Sequence, residues 1–247
     1  MQLHERLESG ASHIEITLTT NESRPRVERR LLLVHGLPRA LGMGRTAAGM
    51  LPELAEHLAN ESGWTVATIT MSGVGNATGT FSAPQWVADL TRAVDFLFQP
   101  DEPLALAGFG LGGNIALSVA SGDERIRGVA TFATSADLLE WCGEPTKFRS
   151  QVLRAGVVDP VQTLPEADVL VEGLIALDPL RAIAAIPPRR LLIGHGAEDR
   201  DVPVFHARRL HAAAQEHAEL RIIQGAGHWL RADPRMVATL LGWMDRH

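Results

Sequence analysis

Short runs of apolar residues recur along the chain, and they alternate with segments in which apolar residues are spaced three or four positions apart. A short run is typical of a strand buried on both faces, whereas the wider spacing is typical of an amphipathic helix. Six runs predict strands, at residues 31–34, 66–69, 104–107, 129–132, 191–193 and 220–223. This alternation predicts an α/β fold with a mostly parallel sheet flanked by helices.

Other segments add detail to this pattern. Residues 14–18 alternate apolar and polar side chains, which predicts a half-exposed antiparallel strand at the edge of the sheet. One helix is predicted to begin after a capping residue, Ser82, and a small-residue helix is predicted over residues 114–121. The last helix is predicted to begin at Asp233, because Pro234 then occupies its first position.

Residues 137–188 interrupt the alternation of strands and helices. This interval is helical in character and is long for a connection between two neighbouring strands. We therefore predict an α/β core formed by residues 1–136 and 189–247, with a helical cap formed by residues 137–188. A pair of ordinary crossover helices is the alternative interpretation.

Composition narrows the class of protein. The formal net charge is −6, which does not favour binding to nucleic acid or to an anionic membrane. Cys142 is the only cysteine, so the chain forms no internal disulfide and no cysteine-rich metal site. The first ten residues lack the apolar stretch of a signal peptide, and we expect a cytoplasmic protein. No metal-binding spacing is present, and we expect no cofactor.

Four short motifs each follow a predicted strand. They are His-Gly-Leu-Pro at 35–38, Gly-Phe-Gly-Leu-Gly-Gly at 108–113, His-Gly-Ala-Glu-Asp-Arg-Asp-Val-Pro at 195–203 and Gly-Ala-Gly-His at 225–228. In an open α/β sheet, ligands bind at the carboxyl ends of the strands. The four motifs are therefore expected to converge around one cavity at that edge.

The order and context of these motifs resemble the α/β-hydrolase superfamily, over essentially residues 30–245. Residues 108–113 resemble the nucleophile elbow, the strand–turn–helix segment in which a serine stands at the position of Gly110. The resemblance implies that Asp199 is the acid and His228 the histidine of a Ser-His-Asp triad, with Asp201 as the lesser candidate for the acid.

The same resemblance implies an oxyanion hole. Pro38 has no backbone N–H, so the donors are expected to be the N–H groups of Leu37 and Leu111. The residues expected to line the substrate cavity are Met43, Phe109, Trp141, Val202 and Trp229. Trp141 and Trp229 have a core position as their alternative.

Gly110 is the main departure from the superfamily pattern, because glycine has no side chain with which to form an acyl-enzyme. The remaining groups still suit another reaction. His228, oriented by Asp199, is able to move a proton, and the N–H pair is able to stabilise charge on a carbonyl oxygen. This combination predicts epimerisation, isomerisation or tautomerisation beside a carbonyl group.

A missing elbow serine together with Asp199, His228 and a composition rich in Ala, Gly, Leu and Arg resembles a narrower group. It is similar to the atypical α/β-hydrolase-fold proteins of actinobacterial peptide natural-product pathways, in particular the bottromycin-type peptide epimerases. This resemblance implies a small, modified macrocyclic peptide as substrate and functional coupling to other enzymes of the pathway. It implies epimerisation at an aspartate α-carbon beside a thiazoline-type heterocycle, with the substrate's own carboxylate as an alternative base to His228.

Two other functions stay open from the sequence. One is a serine-type esterase or peptidase-like hydrolase that is inactivated at position 110 or activates water directly. The other is a non-catalytic protein that binds a peptide or small molecule. Structural roles in turns are expected for His35 and His195. Surface positions are expected for His4, His13, His57, His206, His211, His217 and His247.

Overall fold

The sheet that the sequence predicts is the centre of the computed structural model, which describes residues 1–23, 27–38, 51–157, 164–215 and 217–246. In this part of the chain the strands are β1 (Gln2–Ser9), β2 (Ser12–Thr19), β3 (Arg30–Val34), β4 (Thr65–Thr70), β5 (Leu104–Phe109), β6 (Ile126–Phe132), β7 (Arg190–Gly196) and β8 (Glu219–Ile223). The helices are α1 (Leu51–Ser62), α2 (Ala83–Leu97), α3 (Leu111–Gly122), α4 (Leu138–Cys142), α5 (Pro145–Ala155), α6 (Ala167–Ile175), α7 (Pro179–Ala184), α8 (Phe205–Ala213) and α9 (Pro234–Asp245).

The strands form one sheet in the order β1-β2-β4-β3-β5-β6-β7-β8. The pairs β1–β2 and β2–β4 are antiparallel, and every other neighbouring pair is parallel. The predicted fold class, a mostly parallel sheet flanked by helices, is therefore confirmed. The carboxyl ends of β3, β5, β7 and β8 lie at one edge, and the four sequence motifs begin there.

The prediction for the edges of the sheet is wrong in two respects. Strand β2 pairs with β4 on one side and with β1 on the other, so it is antiparallel but not at the edge. Strand β1 was missed because its side chains are polar and mostly exposed, and it returns to β2 through a turn at Gly10 with φ of 62°. At the opposite edge, β8 is half-buried and is not covered on both faces.

Adjacent residues of the central strands face opposite layers of the core. Leu31 and Leu33 pack in one apolar layer with α1 and α9, whereas Leu32 and Val34 pack in the other layer with α2 and α3. All four side chains are completely buried. Burial on both faces explains why the sequence of β3 is a continuous apolar run.

The predicted helix starts are confirmed at two positions and corrected at a third. The Ser82 side chain accepts a hydrogen bond from the Gln85 N–H at 3.2 Å, and Asp233 accepts one from the Arg235 N–H at 2.9 Å. Helix α3 begins at Leu111, three residues before the predicted start. It begins there because the turn at Gly110 leads straight into the helix.

Helices α4 to α7 lie within residues 137–188. The first three pack against one another, whereas α7 packs against α3 and α8, which cover the sheet. The division of the chain into a core and a cap stays a prediction. Within the described ranges, no helix is both long enough and apolar enough to cross a bilayer.

Candidate active site

The turn between β5 and α3 has the backbone shape of a nucleophile elbow. Gly110 has φ of 54° and ψ of −125°, a backbone conformation that residues other than glycine rarely adopt. The Gly110 N–H donates to the Phe132 carbonyl at 2.8 Å, and the Gly110 carbonyl accepts from the Gly113 N–H at 3.0 Å. These bonds tie the turn to β6 and to the first turn of α3.

Two glycines of this turn have different surroundings. A Cβ on Gly112 would lie 2.2 Å from the His35 carbonyl oxygen, so this residue allows α3 to approach the end of β3. A Cβ on Gly110 would meet only one atom within 4 Å among the described residues, His228 Nε2 at 3.8 Å. Position 110 therefore faces the histidine across open space.

The loops after β7 and β8 bring Asp199 and His228 together. His228 Nδ1 lies 2.9 Å from Asp199 Oδ2. The other oxygen of Asp199, Oδ1, accepts hydrogen bonds from the N–H groups of Asp201 at 2.9 Å and Val202 at 2.8 Å. The Asp199 side chain is completely buried, whereas a quarter of the His228 side chain is exposed.

These contacts lower the pKa of Asp199. Burial alone would raise the pKa of Asp199, but the hydrogen bonds from His228 and the Val202 N–H outweigh it and hold that pKa below its usual value. The carboxylate is therefore ionised at neutral pH and accepts a hydrogen bond from the N–H at His228 Nδ1. His228 Nε2 is then left as a base directed at position 110.

Two further histidines have the structural roles expected from the sequence. His195 Nε2 lies 2.7 Å from the Val202 carbonyl oxygen, to which it donates, and burial lowers the pKa of His195. His35 Nε2 accepts from the Met71 N–H at 3.1 Å, and burial lowers the pKa of His35 to about 4. Both rings are therefore neutral at physiological pH and hold loop backbone in place.

The expected surface positions are wrong for His13 and His206, which are 6% and 2% exposed. His13 lies 3.0 Å from the Asn76 carbonyl oxygen through Nε2, and His206 Nδ1 accepts from the Ala136 N–H at 3.3 Å. Each ring bonds backbone of a distant segment, a contact that no local pattern indicates. His247 lies outside the described residues.

A cavity of about 320 Å³ opens above Gly110. The residues that line it are Gly36, Leu37, Pro38, Phe109, Gly110, Leu111, Phe132, Trp141, Asp201, His228, Trp229, Leu230 and Arg231. Leu37 and Leu111, the expected oxyanion donors, are both among them. Much of the wall is aromatic, and Trp229 is 57% exposed.

One residue that was expected to line the cavity, Val202, does not line it. Asp199 lies behind His228 and is not a lining residue. Val202 is 1% exposed and holds Asp199 by its N–H, so it supports the acid and does not line the cavity. Met43 lies outside the described residues. Phe132 and Arg231 were missed; Arg231 follows His228 and Trp229 in one loop, which is the only sequence signal for it.

The comparisons with known proteins agree with this fold. The model of the Alpha/beta hydrolase family matches residues 31–240, and the chain therefore belongs to that family. No curated protein matches the chain.

Three similar solved structures illustrate the likeness. The alpha/beta hydrolase GrgF from Penicillium sp. sh18 is 18% identical, with a TM-score of 0.72 and coverage of 100% of this chain and 99% of that one. An esterase domain from a Rhodothermus marinus protein is 19% identical, with a TM-score of 0.72 and coverage of 100% and 98%. A putative lipase from Acinetobacter baumannii AYE is 19% identical, with a TM-score of 0.71 and coverage of 99% and 91%. At these identities the likeness shows the fold alone.

Proposed function

We propose that this protein is a cofactor-free epimerase or isomerase that moves a proton at a carbon atom beside a carbonyl group. The observation that carries the proposal is the open position 110, where a Cβ would lie 3.8 Å from His228 Nε2. The base is fixed by the ionised Asp199 at 2.9 Å, and no nucleophilic side chain stands at the elbow. This arrangement favours proton transfer over acyl transfer.

The proposed reaction uses the groups that remain. His228 Nε2 takes the proton from the substrate carbon, the electron pair of the broken C–H bond forms a double bond to the carbonyl carbon, and the π pair of the carbonyl group moves onto its oxygen. The N–H groups of Leu37 and Leu111 stabilise the resulting negative charge. Water then returns a proton to the opposite face of the carbon, which inverts its configuration, and His228 releases its proton to solvent.

We further propose a class of substrate. Its support is the resemblance of the sequence to peptide epimerases, together with the aromatic lining of the cavity. The substrate is a small, modified macrocyclic peptide in which an aspartate α-carbon lies next to a thiazoline-type heterocycle. The substrate's aspartate carboxylate is the alternative base, in which case His228 positions it. The enzyme would then work in the cytoplasm beside the other enzymes of the pathway.

Exchange of the α-proton in deuterated water tests this proposal. Wild-type protein is incubated with the cyclised precursor peptide, and deuterium incorporation at the aspartate α-carbon is followed by mass spectrometry and NMR. The matched variants are His228→Gln and His57→Gln, because His57 is an exposed histidine on α1. We expect rapid exchange that only the His228 variant loses. Exchange no faster than in buffer would refute the proposal.

A hydrolase that activates water directly is the second candidate. The space between Gly110 and His228 is open, which would suit a water molecule held by the histidine. Release of p-nitrophenol from short-chain esters by the wild-type protein, lost in His228→Gln, would favour this candidate. Tight binding of the peptide with neither exchange nor cleavage would instead indicate a binding protein.

A further inference from the structure

Arg231 is a charged residue in the wall of the candidate cavity that the proposed reaction does not use. It lies in the short helical turn Leu230–Ala232, directly after the loop that carries His228. Leu230 is 2% exposed and anchors this turn in the core. The position of Arg231 is therefore fixed by the same loop that positions the base.

The surroundings of Arg231 suit an anionic ligand. The guanidinium carbon lies 4.5 Å from the centroid of the Trp229 ring, which is a cation–π contact. Burial lowers the pKa of Arg231, although an arginine stays charged at neutral pH. A guanidinium that is partly removed from water binds an anion more strongly than an exposed one does, because the interaction is less screened.

The composition of the cavity narrows the ligand further. Apart from His228, the charged or titratable residues among the described lining residues are Arg231 and Asp201, and Asp201 is exposed. The rest of the wall is apolar or backbone. Three residues of chain span at most about 10 Å, so one small molecule is able to contact both His228 and Arg231.

We infer that Arg231, supported by the face of Trp229, binds a carboxylate group of the substrate and selects acidic substrates. A guanidinium matches a carboxylate with two parallel hydrogen bonds, a geometry that an ammonium group does not offer. This inference rests on the proposed function in one respect, namely that the cavity holds the substrate. It assigns the substrate class as an acid with an apolar or aromatic body.

A matched pair of small probes tests the inference without any turnover. N-acetyl-L-phenylalanine carries a carboxylate, and N-acetyl-L-phenylalaninamide is its neutral counterpart. Binding of each probe is measured by isothermal titration calorimetry to the wild type and to Arg231→Gln, Arg231→Lys and Arg208→Gln. Arg208 is an exposed arginine on α8, so its variant makes the same charge change away from the cavity.

We expect the wild type to bind the acid about tenfold more tightly than the amide, the size of one charged hydrogen-bond interaction. Arg231→Gln should abolish this preference, Arg231→Lys should keep part of it, and Arg208→Gln should leave it unchanged. Unfolding temperatures measured alongside confirm that each variant is folded.

Equal affinity for both probes, an unchanged preference in Arg231→Gln, or no binding of the acid at about millimolar concentration would each overturn the inference. The two proposals fail separately. A wild type that exchanges the peptide proton but shows no preference for the acid contradicts only the role of Arg231. A preference for the acid without proton exchange contradicts only the epimerase.

Discussion

The two sides of the cavity floor differ in the reactive side chains that they carry. The turn after β5 keeps the backbone shape, with Gly110 at φ of 54° and ψ of −125°, but has no reactive side chain. The loops after β7 and β8 keep both shape and chemistry, with Asp199 and His228 joined at 2.9 Å. The comparison teaches that the shape of an active site is independent of the reactive side chain on one side of the cavity and depends on it on the other.

The packing explains why the turn after β5 holds its shape without a reactive side chain. The turn is held by close backbone approaches at Gly112 and by hydrogen bonds from the Gly110 backbone, none of which needs a side chain at position 110. The opposite side is held by the charged side chain itself, because Asp199 bonds two backbone N–H groups as well as His228. Removal of that carboxylate would leave these two N–H groups without their side-chain acceptor.

The largest effect on activity is expected for Asp199→Asn, which removes the charge that orients the base. An asparagine keeps an acceptor oxygen for the loop but no longer favours a proton on His228 Nδ1, so Nε2 is a poor base. We expect the rate of proton exchange to fall by a factor of about 10² or more, with a small change in stability. An unchanged exchange rate in a folded variant would show that the pair has no catalytic role.

The largest effect on stability is expected for Gly112→Ala on the other side of the cavity. Its Cβ would lie 2.2 Å from the His35 carbonyl oxygen, so α3 must move away from β3. We expect a loss of about 4 kcal/mol or more in the free energy of unfolding, measured with urea.

Gly122→Ala is the control for this prediction. Gly122 is in the same helix and has no atom within 4 Å of its added Cβ. Its variant should stay within about 1 kcal/mol of the wild type. Equal stability of the two variants would contradict the packing argument.

On acidification, the two sides of the cavity floor should lose their contributions to stability at different pH values. The pKa of His35 is about 4 in the folded chain, whereas its ordinary value is 6.5. As the pH falls, the unfolded chain therefore binds a proton at His35 before the folded chain does. Stability is therefore fully present above pH 6.5 and is lost as the pH falls toward 4, by about 3 kcal/mol for this group.

The Asp199 contribution changes in a lower window. The pKa of Asp199 is below 3.8, so its contribution is present above that pH and disappears only as the pH falls through the lowered value. Urea unfolding at neutral pH and at pH about 5 should show a smaller difference in His35→Gln than in the wild type. His195 and His206, whose pKa values burial also lowers, contribute to the remaining difference. The same difference in variant and wild type would contradict the role of His35.

The smallest effect is expected for Gly110→Ala. The added Cβ has room, and its nearest described neighbour is His228 Nε2 at 3.8 Å, so the cost is the positive φ alone. We expect a loss of about 1–2 kcal/mol in the free energy of unfolding. A loss as large as that of Gly112→Ala would mean that position 110 is packed and not open.

Much of this arrangement is predictable from the sequence, because it follows from burial and from the order of motifs along the chain. Continuous apolar runs marked the central strands such as β3, which are covered on both faces, and the motifs after them located His228 and Asp199. Strand β1 was not predicted because its side chains are mostly polar and it joins the sheet only by pairing with β2.

The missed features of the site are products of tertiary packing. Arg231 lines the cavity because Leu230 anchors its turn, and Val202 is buried because its N–H holds Asp199. His13 is buried because it bonds backbone 63 positions away in sequence. No periodicity of the chain encodes such contacts.

Installation of a nucleophile at position 110 tests the central claim most directly. In Gly110→Ser, the hydroxyl would be placed beside His228 Nε2 and the donors at Leu37 and Leu111. The account predicts that a fluorophosphonate probe labels this variant at position 110, leaves the wild type unlabelled, and labels the variant far more slowly when His228→Ala is added. A folded Gly110→Ser variant that resists the probe and hydrolyses no p-nitrophenyl ester would contradict it.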